Sequence, residues 1–296
     1  MSEDNPGGGK PRPSISKNSS ADKHNGGAGL APARPTSPAQ QISPSLINLA
    51  QPASTARVNL AYQPFLEGLD KLGLELTEQQ SKQFLRYQQE LLDWNTRVNL
   101  TSITKPEEVL IKHFLDSLSL LLAFDAPEAR LLDIGTGAGF PGLPLKIVRP
   151  RWQLLLLEAT GKKVAFLQHL IETLHVTSIA AMHGRAEELA HKGQYRAAFD
   201  VVTARAVASL PALLEYASPF CRVGGQIILQ KKGDLTGELA NGVRAADKVG
   251  AVLKDDIAVK LPGLDDGRRL LVWEQVRKCP AQFPRSGSVM AKKPLG

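Results

Sequence analysis

The stretch Asp133-Ile134-Gly135-Thr136-Gly137-Ala138-Gly139-Phe140-Pro141-Gly142 limits the possible folds more than any other part of the chain. Leu131 and Leu132 precede it, and an apolar run from Leu143 to Val148 follows. That order predicts a buried strand, a glycine turn and a helix. A strand ending at Asp133 delivers the chain into a turn that needs positive φ, which glycine adopts without a Cβ penalty. Side chains in such a turn would also hold a ligand away from the backbone. The helix beyond the turn directs its unsatisfied N–H groups at whatever sits there. The turn is therefore suited to a nucleotide-like cofactor. A glycine turn with no ligand is the alternative, and it leaves the crowding of glycines unexplained.

The spacing Gly137-x-Gly139-x-x-Gly142 satisfies the dinucleotide fingerprint. On the glycines alone, NAD, FAD and S-adenosylmethionine all stay open. Two acids narrow the choice. Asp133, just ahead of the first glycine, is placed to face the ammonium end of S-adenosylmethionine. Glu158 ends the apolar run Leu154 to Leu157, where an acid accepts hydrogen bonds from ribose hydroxyls. That second feature is common to both cofactor classes.

The chain has 296 residues, with 36 Lys/Arg against 29 Asp/Glu and a formal net charge of +7. The length allows one large domain or two small ones. A basic balance says nothing about fold but favours an anionic partner such as nucleic acid. Cys221 and Cys279 stand far apart, outside any CxxC pair, so neither a disulfide framework nor a zinc site is indicated. A reducing cytoplasm is the expected compartment. No apolar stretch of membrane-spanning length and no secretion signal is apparent.

Residues 1–57 read as a disordered tail. The segment holds Gly7-Gly8-Gly9 and prolines from Pro6 to Pro52, has no aromatic residue, and lacks the apolar content to offset the entropy of ordering. Residues 58–125 read as a helical segment packing on a catalytic domain of residues 126–296. Phe65, Leu66, Leu69, Leu72 and Leu76 form one apolar stripe. Thr77 with Gln80 resembles a capping box, and Phe84, Leu85, Leu91, Leu92 and Trp94 carry the next helix. Thr104 with Glu107 reads as a second capping box, opening a helix through Val109, Phe114 and Leu121. The polar stretch Trp94 to Thr101 fits either helix capping or a functional role. His113 and Asp116, one turn apart, are too few for a metal site and fit a structural or cofactor-lid role.

Beyond the glycine turn, strand–helix units repeat, the pattern of a mostly parallel sheet with helices on both faces. Strands are expected at Gln153 to Glu158, Ser178 to His183, Phe199 to Thr203, Gln226 to Gln230, Ala251 to Val259 and Leu270 to Val276. Thr160 is placed to cap the helix after the second strand. Lys162 and Lys163 in its first turn oppose the helix dipole, which fits cations facing phosphate. Ligands in such sheets lie at the carboxyl ends of strands near the switch point. That rule nominates Asp133 to Gly142, Glu158, Ala186-Glu187, Arg205 and Lys231.

Several segments, in order, are similar to the bacterial small-subunit ribosomal RNA methyltransferase family once called glucose-inhibited division protein B. They are Leu131 to Leu145, Arg97-Val98-Asn99-Leu100-Thr101, His113-Phe114-Leu115-Asp116-Ser117, Lys162-Lys163 with Phe166-Leu167, Gly184-Arg185-Ala186-Glu187, Asp200 through Arg205-Ala206, Phe283-Pro284-Arg285 and Lys292-Lys293-Pro294-Leu295. The resemblance covers residues 60–296; the long tail departs from it. It implies a Rossmann-like S-adenosylmethionine-dependent methyltransferase fold with an N-terminal helical extension. It further implies methyl transfer to N7 of one guanine of 16S rRNA, with cofactor contacts at Gly135, Phe140, Ala186, Glu187 and Arg205. The acids and glycines Glu158, Asp133, Gly137 and Gly139 join this set from their positions in the chain.

Guanine N7 already carries an available lone pair, so its attack on a sulfonium methyl needs no general base. Thr203-Ala204-Arg205-Ala206 stands where amine-methylating enzymes carry an Asn/Asp-Pro-Pro-aromatic motif, and Cys221 reads as a buried thiol rather than a nucleophile. Arg205 is the expected catalytic side chain, orienting the cofactor carboxylate or guanine O6; a salt bridge to a nearby acid is the structural alternative. Arg97, Lys162, Lys163, Lys231 and Lys232 are the expected RNA-phosphate contacts. The expected partner is 16S rRNA in the small subunit or its precursor, met by a monomer without metal or membrane. Other readings stay open: a methyltransferase with a different acceptor, a nicotinamide-dependent oxidoreductase, and a catalytically silent RNA-binding protein.

Overall fold

The apolar runs Leu131-Leu132 and Leu154 to Leu157 are buried throughout, as expected of strands covered on both faces. The computed structural model containing them describes residues 55–205 and 208–296, with side chains from Tyr62 onward. The expected tail up to residue 54, and Ala206, lie outside the described residues.

Three helical stretches precede the sheet. Helix α1 (Thr55–Lys71) begins three residues inside the segment that composition assigns to the tail. Helix α2 (Glu78–Asn95) opens on the expected capping box: Gln80 N donates to Thr77 Oγ1 (3.2 Å) and Thr77 N to Gln80 Oε1 (2.9 Å). The second expected box is absent. Lys105 holds the N-cap position without a side-chain cap, and Pro106 takes the first helical position, where its missing N–H is tolerated. The third stretch, α3, spans residues 106–122 and changes pitch along its length. It is α-helical at Pro106–Val109, π-helical at Leu110–Leu115, α-helical at Asp116–Leu118 and 3-10 at Ser119–Leu122. Between α2 and α3, Asn95 Oδ1 accepts from Leu100 N (2.8 Å) and Thr101 N (2.9 Å), while its Nδ2 donates to Thr101 O (2.9 Å). The polar stretch is thus a turn folded around one asparagine.

The sheet contains β1 (Arg130–Ile134), β2 (Gln153–Glu158), β3 (Ile179–His183), β4 (Phe199–Arg205), β5 (Cys221–Lys232), β6 (Ala251–Ala258) and β7 (Arg268–Gln275). Their order is β3-β2-β1-β4-β5-β7-β6. The first five pair in parallel; β7 is antiparallel to β5, and β6 to β7. All the expected strands are present. Strand β4 runs two residues past its expected end, which makes Arg205 its last residue in register with Gln230.

Helices α4 (Gly142–Val148) and α5 (Gly161–Thr173) cover one face of the sheet, together with α1 to α3. Helices α6 (Ala186–Leu189), α7 (Leu210–Ala217) and α8 (Thr236–Val249) cover the other. Period-2 alternation decides which side chain goes where. Leu131, Leu154 and Leu156 enter the first core; Leu132, Leu155 and Leu157 enter the second. A short helix, α9 (Gly287–Lys292), lies in the C-terminal segment.

Candidate active site at the carboxyl edge of the sheet

Strand order reverses beside β1, which pairs with β2 on one side and β4 on the other. The crevice outside their carboxyl ends is the switch point where ligands bind in such sheets. The glycine loop sits there. Gly135, Gly137 and Gly139 have φ of 65°, 63° and 104°, a region costly for other residues. Their roles differ. A Cβ at Gly137 would meet no protein atom within 4 Å, so this glycine borders open space. A Cβ at Gly139 would lie 2.6 Å from Tyr87 Oη, and one at Gly142 would lie 2.5 Å from Leu156 Cδ2. Gly139, expected among the cofactor contacts, answers first to packing inside the protein. Gly142 lets α4 approach β2.

The two acids hold the loop. Asp133 Oδ2 accepts from Thr136 Oγ1 (2.6 Å) and Gly142 N (2.9 Å), joining both ends of the turn. Its carboxyl is fully buried, which pushes its pKa up to about 7; Oδ2 braces the turn, while Oδ1 has no partner among the described residues. Glu158 Oε2 accepts from Gly137 N (3.0 Å) and its Oε1 from Thr160 N (2.8 Å). This acid borders the open glycine, as a ribose acceptor would. It also engages the backbone of Thr160, whose own side chain makes no cap.

Phe140 is buried between two rings, stacked on His113 (centroids 4.3 Å apart, 9° between planes) and on Tyr87 (5.3 Å, 8°). The Arg205 guanidinium carbon lies 5.0 Å from the same ring. The Phe140 side chain thus faces the core, which leaves the Phe140 backbone for a ligand. Ala186 and Glu187 open α6 after β3; Ala186 is buried, and a Cβ on Gly287 of the C-terminal segment would lie 2.9 Å from Glu187 Oε1.

Arg205 is already engaged. Its Nη1 donates to Asp116 Oδ2 (2.9 Å) and Lys112 O (3.3 Å), and its Nη2 to His113 Nδ1 (3.1 Å). The salt bridge to a nearby acid is therefore present; with the bonds to Lys112 and His113 it ties β4 to the π-helical turn of α3 and the residue just beyond it. Arg268 Nη1 reaches the same Asp116 oxygen at 2.6 Å, and Gln230 Nε2 donates to Asp116 O at 2.7 Å. Since Nδ1 of His113 accepts from arginine, Nε2 carries the ring proton and donates to Thr101 Oγ1 (2.8 Å). Burial first, then Arg205 and Arg268, lower the His113 pKa to about 3.

The expected RNA contacts divide. Lys162 and Lys232 are exposed and Lys163 half-buried. Arg97 is exposed, paired with Asp93 at 2.7 Å and lying over Trp94; such a surface pair is weak enough to exchange for phosphate. Lys231 is half-buried, and its Nζ bonds Glu238 Oε1 (2.8 Å) and Ala208 O (3.3 Å). The Cys221 thiol is buried, which pushes it up to about 12, far from a thiolate nucleophile. Among the described residues, no three His, Cys, Asp or Glu side chains gather as a metal site requires, and no helix is long and apolar enough to cross a membrane.

Tyr87, Arg268 and Gln230 were missed by the sequence reading. Tyr87 lies three residues after Phe84 and four before Leu91, so helical periodicity would have placed it on the buried face. Arg268 carries no such signal, because nothing in Arg268-Arg269 says which side chain turns inward.

The sheet order β3-β2-β1-β4-β5-β7-β6, with β7 antiparallel beside β5 and a glycine loop at the reversal, is a Rossmann-like fold of the S-adenosylmethionine-dependent methyltransferase class. A family model described as rRNA small subunit methyltransferase G matches residues 80–257. Proteins named ribosomal RNA small subunit methyltransferase G are similar over most of the chain. That of Dehalococcoides mccartyi strain CBDB1 is 47% identical over 228 residues, covering 77% of this chain and 97% of that protein. That of Roseiflexus sp. strain RS-1 is 44% identical over 223 residues, covering 75% and 95%. The chain belongs to the rRNA small subunit methyltransferase G family.

Proposed function

We propose that this protein transfers a methyl group from S-adenosylmethionine to N7 of a guanine in 16S rRNA. The family match carries the reading, because its span takes in both the glycine loop and the helices packed against it. The loop fits such a cofactor: Gly137 faces open space and Glu158 stands beside it. When bound, S-adenosylmethionine supplies an electrophilic methyl on a sulfonium. The backbone at Gly135, Gly137 and Phe140 would hold it, with Glu158 on its ribose and Ala186 and Glu187 on the β3 side.

The chain's own work is positioning. Guanine N7 brings its lone pair unprotonated, so the site needs no base and must hold the ring in line. Arg205, at the end of β4, places fixed positive charge at the rim of the crevice, where a guanine O6 or a cofactor carboxylate is attracted. Arg97, Lys162, Lys163 and Lys232 supply phosphate contacts. A loop guanine is cheaper to unstack than a paired one. The partner is 16S rRNA in the small subunit or its precursor, and the protein acts in the cytoplasm as a monomer without metal.

The test is incubation of the protein with radiolabelled S-adenosylmethionine and small subunits from cells lacking this methylation, followed by mapping of the label. Label on N7 of a single 16S guanine is the expected result. Cofactor binding without label on any subunit or free rRNA would overturn the rRNA reading.

A further inference from the structure

Ala138 O points out of the glycine loop, between two glycines with positive φ. The structure gives it one hydrogen-bond partner among the described residues, Tyr87 Oη at 2.6 Å. Tyr87 belongs to α2, which contributes no strand and no loop to the crevice. Its ring is wholly buried, stacked on Phe140 and 5.0 Å from Phe114. Its hydroxyl lies 2.6 Å from where a Cβ on Gly139 would stand, too close for any side chain there. Three loop residues in a row, Ala138, Gly139 and Phe140, are therefore set against this one side chain. Burial raises the tyrosine pKa well above its ordinary value, so the hydroxyl remains a donor throughout the working range.

From this geometry we propose that Tyr87 is a positioning residue of the cofactor loop, fixing the glycine turn from the helical extension. The inference rests on the cofactor reading above and adds a residue to it. Asp133 braces the loop through Thr136 Oγ1 and Gly142 N; Tyr87 braces it separately, through Ala138 O. A loop that binds through backbone N–H groups loses affinity when its backbone is free to rotate, because the ordering is then charged to binding. The helical extension, by this argument, contributes to the cofactor site through Tyr87 and is not an accessory to RNA binding alone.

Tyr87→Phe keeps the ring and removes the hydrogen bond. Phe65→Leu is the comparison, since Phe65 is buried in the same aromatic cluster against Phe84 and has no described contact with the loop. Each full-length variant is titrated with S-adenosylmethionine by calorimetry, melted, and assayed for methyl transfer to small subunits. Tyr87→Phe is expected to raise the cofactor Kd and KM roughly fivefold, the scale of one lost hydrogen bond. Its kcat at saturating cofactor and its KM for subunits should stay at wild-type values. Phe65→Leu is expected to lower Tm while leaving the cofactor Kd unchanged. An unchanged Kd in Tyr87→Phe overturns the proposal. So does an equal rise in both variants, which would trace the effect to general softening. A wild-type chain that fails to bind S-adenosylmethionine would remove the cofactor reading itself, and the proposal with it.

Discussion

At Gly137 an added Cβ meets no protein atom within 4 Å, whereas at Gly139 it collides with a buried hydroxyl. Gly137→Ala is therefore expected to lose cofactor affinity at a stability cost of about 1–2 kcal/mol, that of left-handed φ in an L-residue. Gly139→Ala should cost more stability. Calorimetric titration beside denaturant melts separates the two; wild-type affinity in Gly137→Ala would mean that the open space is not the cofactor's. Asp133 and His113 give a pH signature. Asp133 rises from 3.8 to about 7, so from pH ~4 to ~7 the folded chain keeps a proton that the unfolded chain releases, and this contribution to stability falls as pH rises. His113 drops from 6.5 to about 3, so the unfolded chain holds the extra proton and its contribution grows with pH. The two oppose one another between pH ~4 and ~6.5. Asp133→Asn should therefore gain stability relative to wild type by about 1.4 kcal/mol per pH unit across that window, read from melts at several pH values. The position of Glu158 was legible in the sequence, because strand ends announce themselves. The inward turn of Asp133 was not, since Thr136 and Gly142 capture its carboxylate only once the loop has closed.

Helix α3 shows how far periodicity reaches. Val109 and Phe114 are buried as expected, and so is nearly every other residue from Val109 to Leu120. The π-helical turn at Leu110–Leu115 is invisible to a 3.6-residue template, because all its residues but Lys112 are buried and no one-sided stripe records the change of pitch. Within and just beyond that turn, His113 and Asp116 both reach Arg205. The residues were noticed in the sequence as a pair one turn apart; their common partner, 89 residues from Asp116, was not. Asp116 is 4% exposed at its side chain and is shared by Arg205 and Arg268. Removing it takes the shared buried carboxylate from both arginines, leaving Arg205 with Lys112 O and His113 Nδ1 and Arg268 with Asp266, whereas removing Arg205 leaves Asp116 paired with Arg268. Asp116→Ala should accordingly cost about 3–5 kcal/mol in a denaturant melt. Arg205→Ala should cost clearly less while cutting methyl transfer more than it cuts stability. Equal melting losses for the two would show that Arg268 does not compensate.

At the scale of the molecule, the parallel order and both faces of helices were legible from alternating runs and turn glycines, but the course of the C-terminal segment was not. Arg196 donates to Phe283 O (2.9 Å), Pro280 O (2.8 Å) and Cys279 O (3.0 Å), and buried Glu215 takes Arg285 through both carboxylate oxygens at 2.7 Å. These partners sit 70 or more residues away in sequence, beyond any local pattern. Glu215→Ala should free the segment, so that trypsin removes the peptide beyond Arg285 several-fold faster than in the wild type, as mass spectrometry would read; an unchanged rate would mean that Arg196 suffices. The first core, for its part, joins Phe65, Phe84, Tyr87 and Phe114 of the helices to Phe140 of the loop. All four helical rings are translated before Phe140. The nascent helices thus leave the ribosome with an empty aromatic slot, and at about 5–20 residues per second the ring that fills it follows within seconds. Chains arrested before Phe140 emerges are expected to be cut by protease within α2, and chains arrested well beyond it to be protected. The glycine turn, on this view, is the moment in synthesis at which the first half of the protein becomes able to fold.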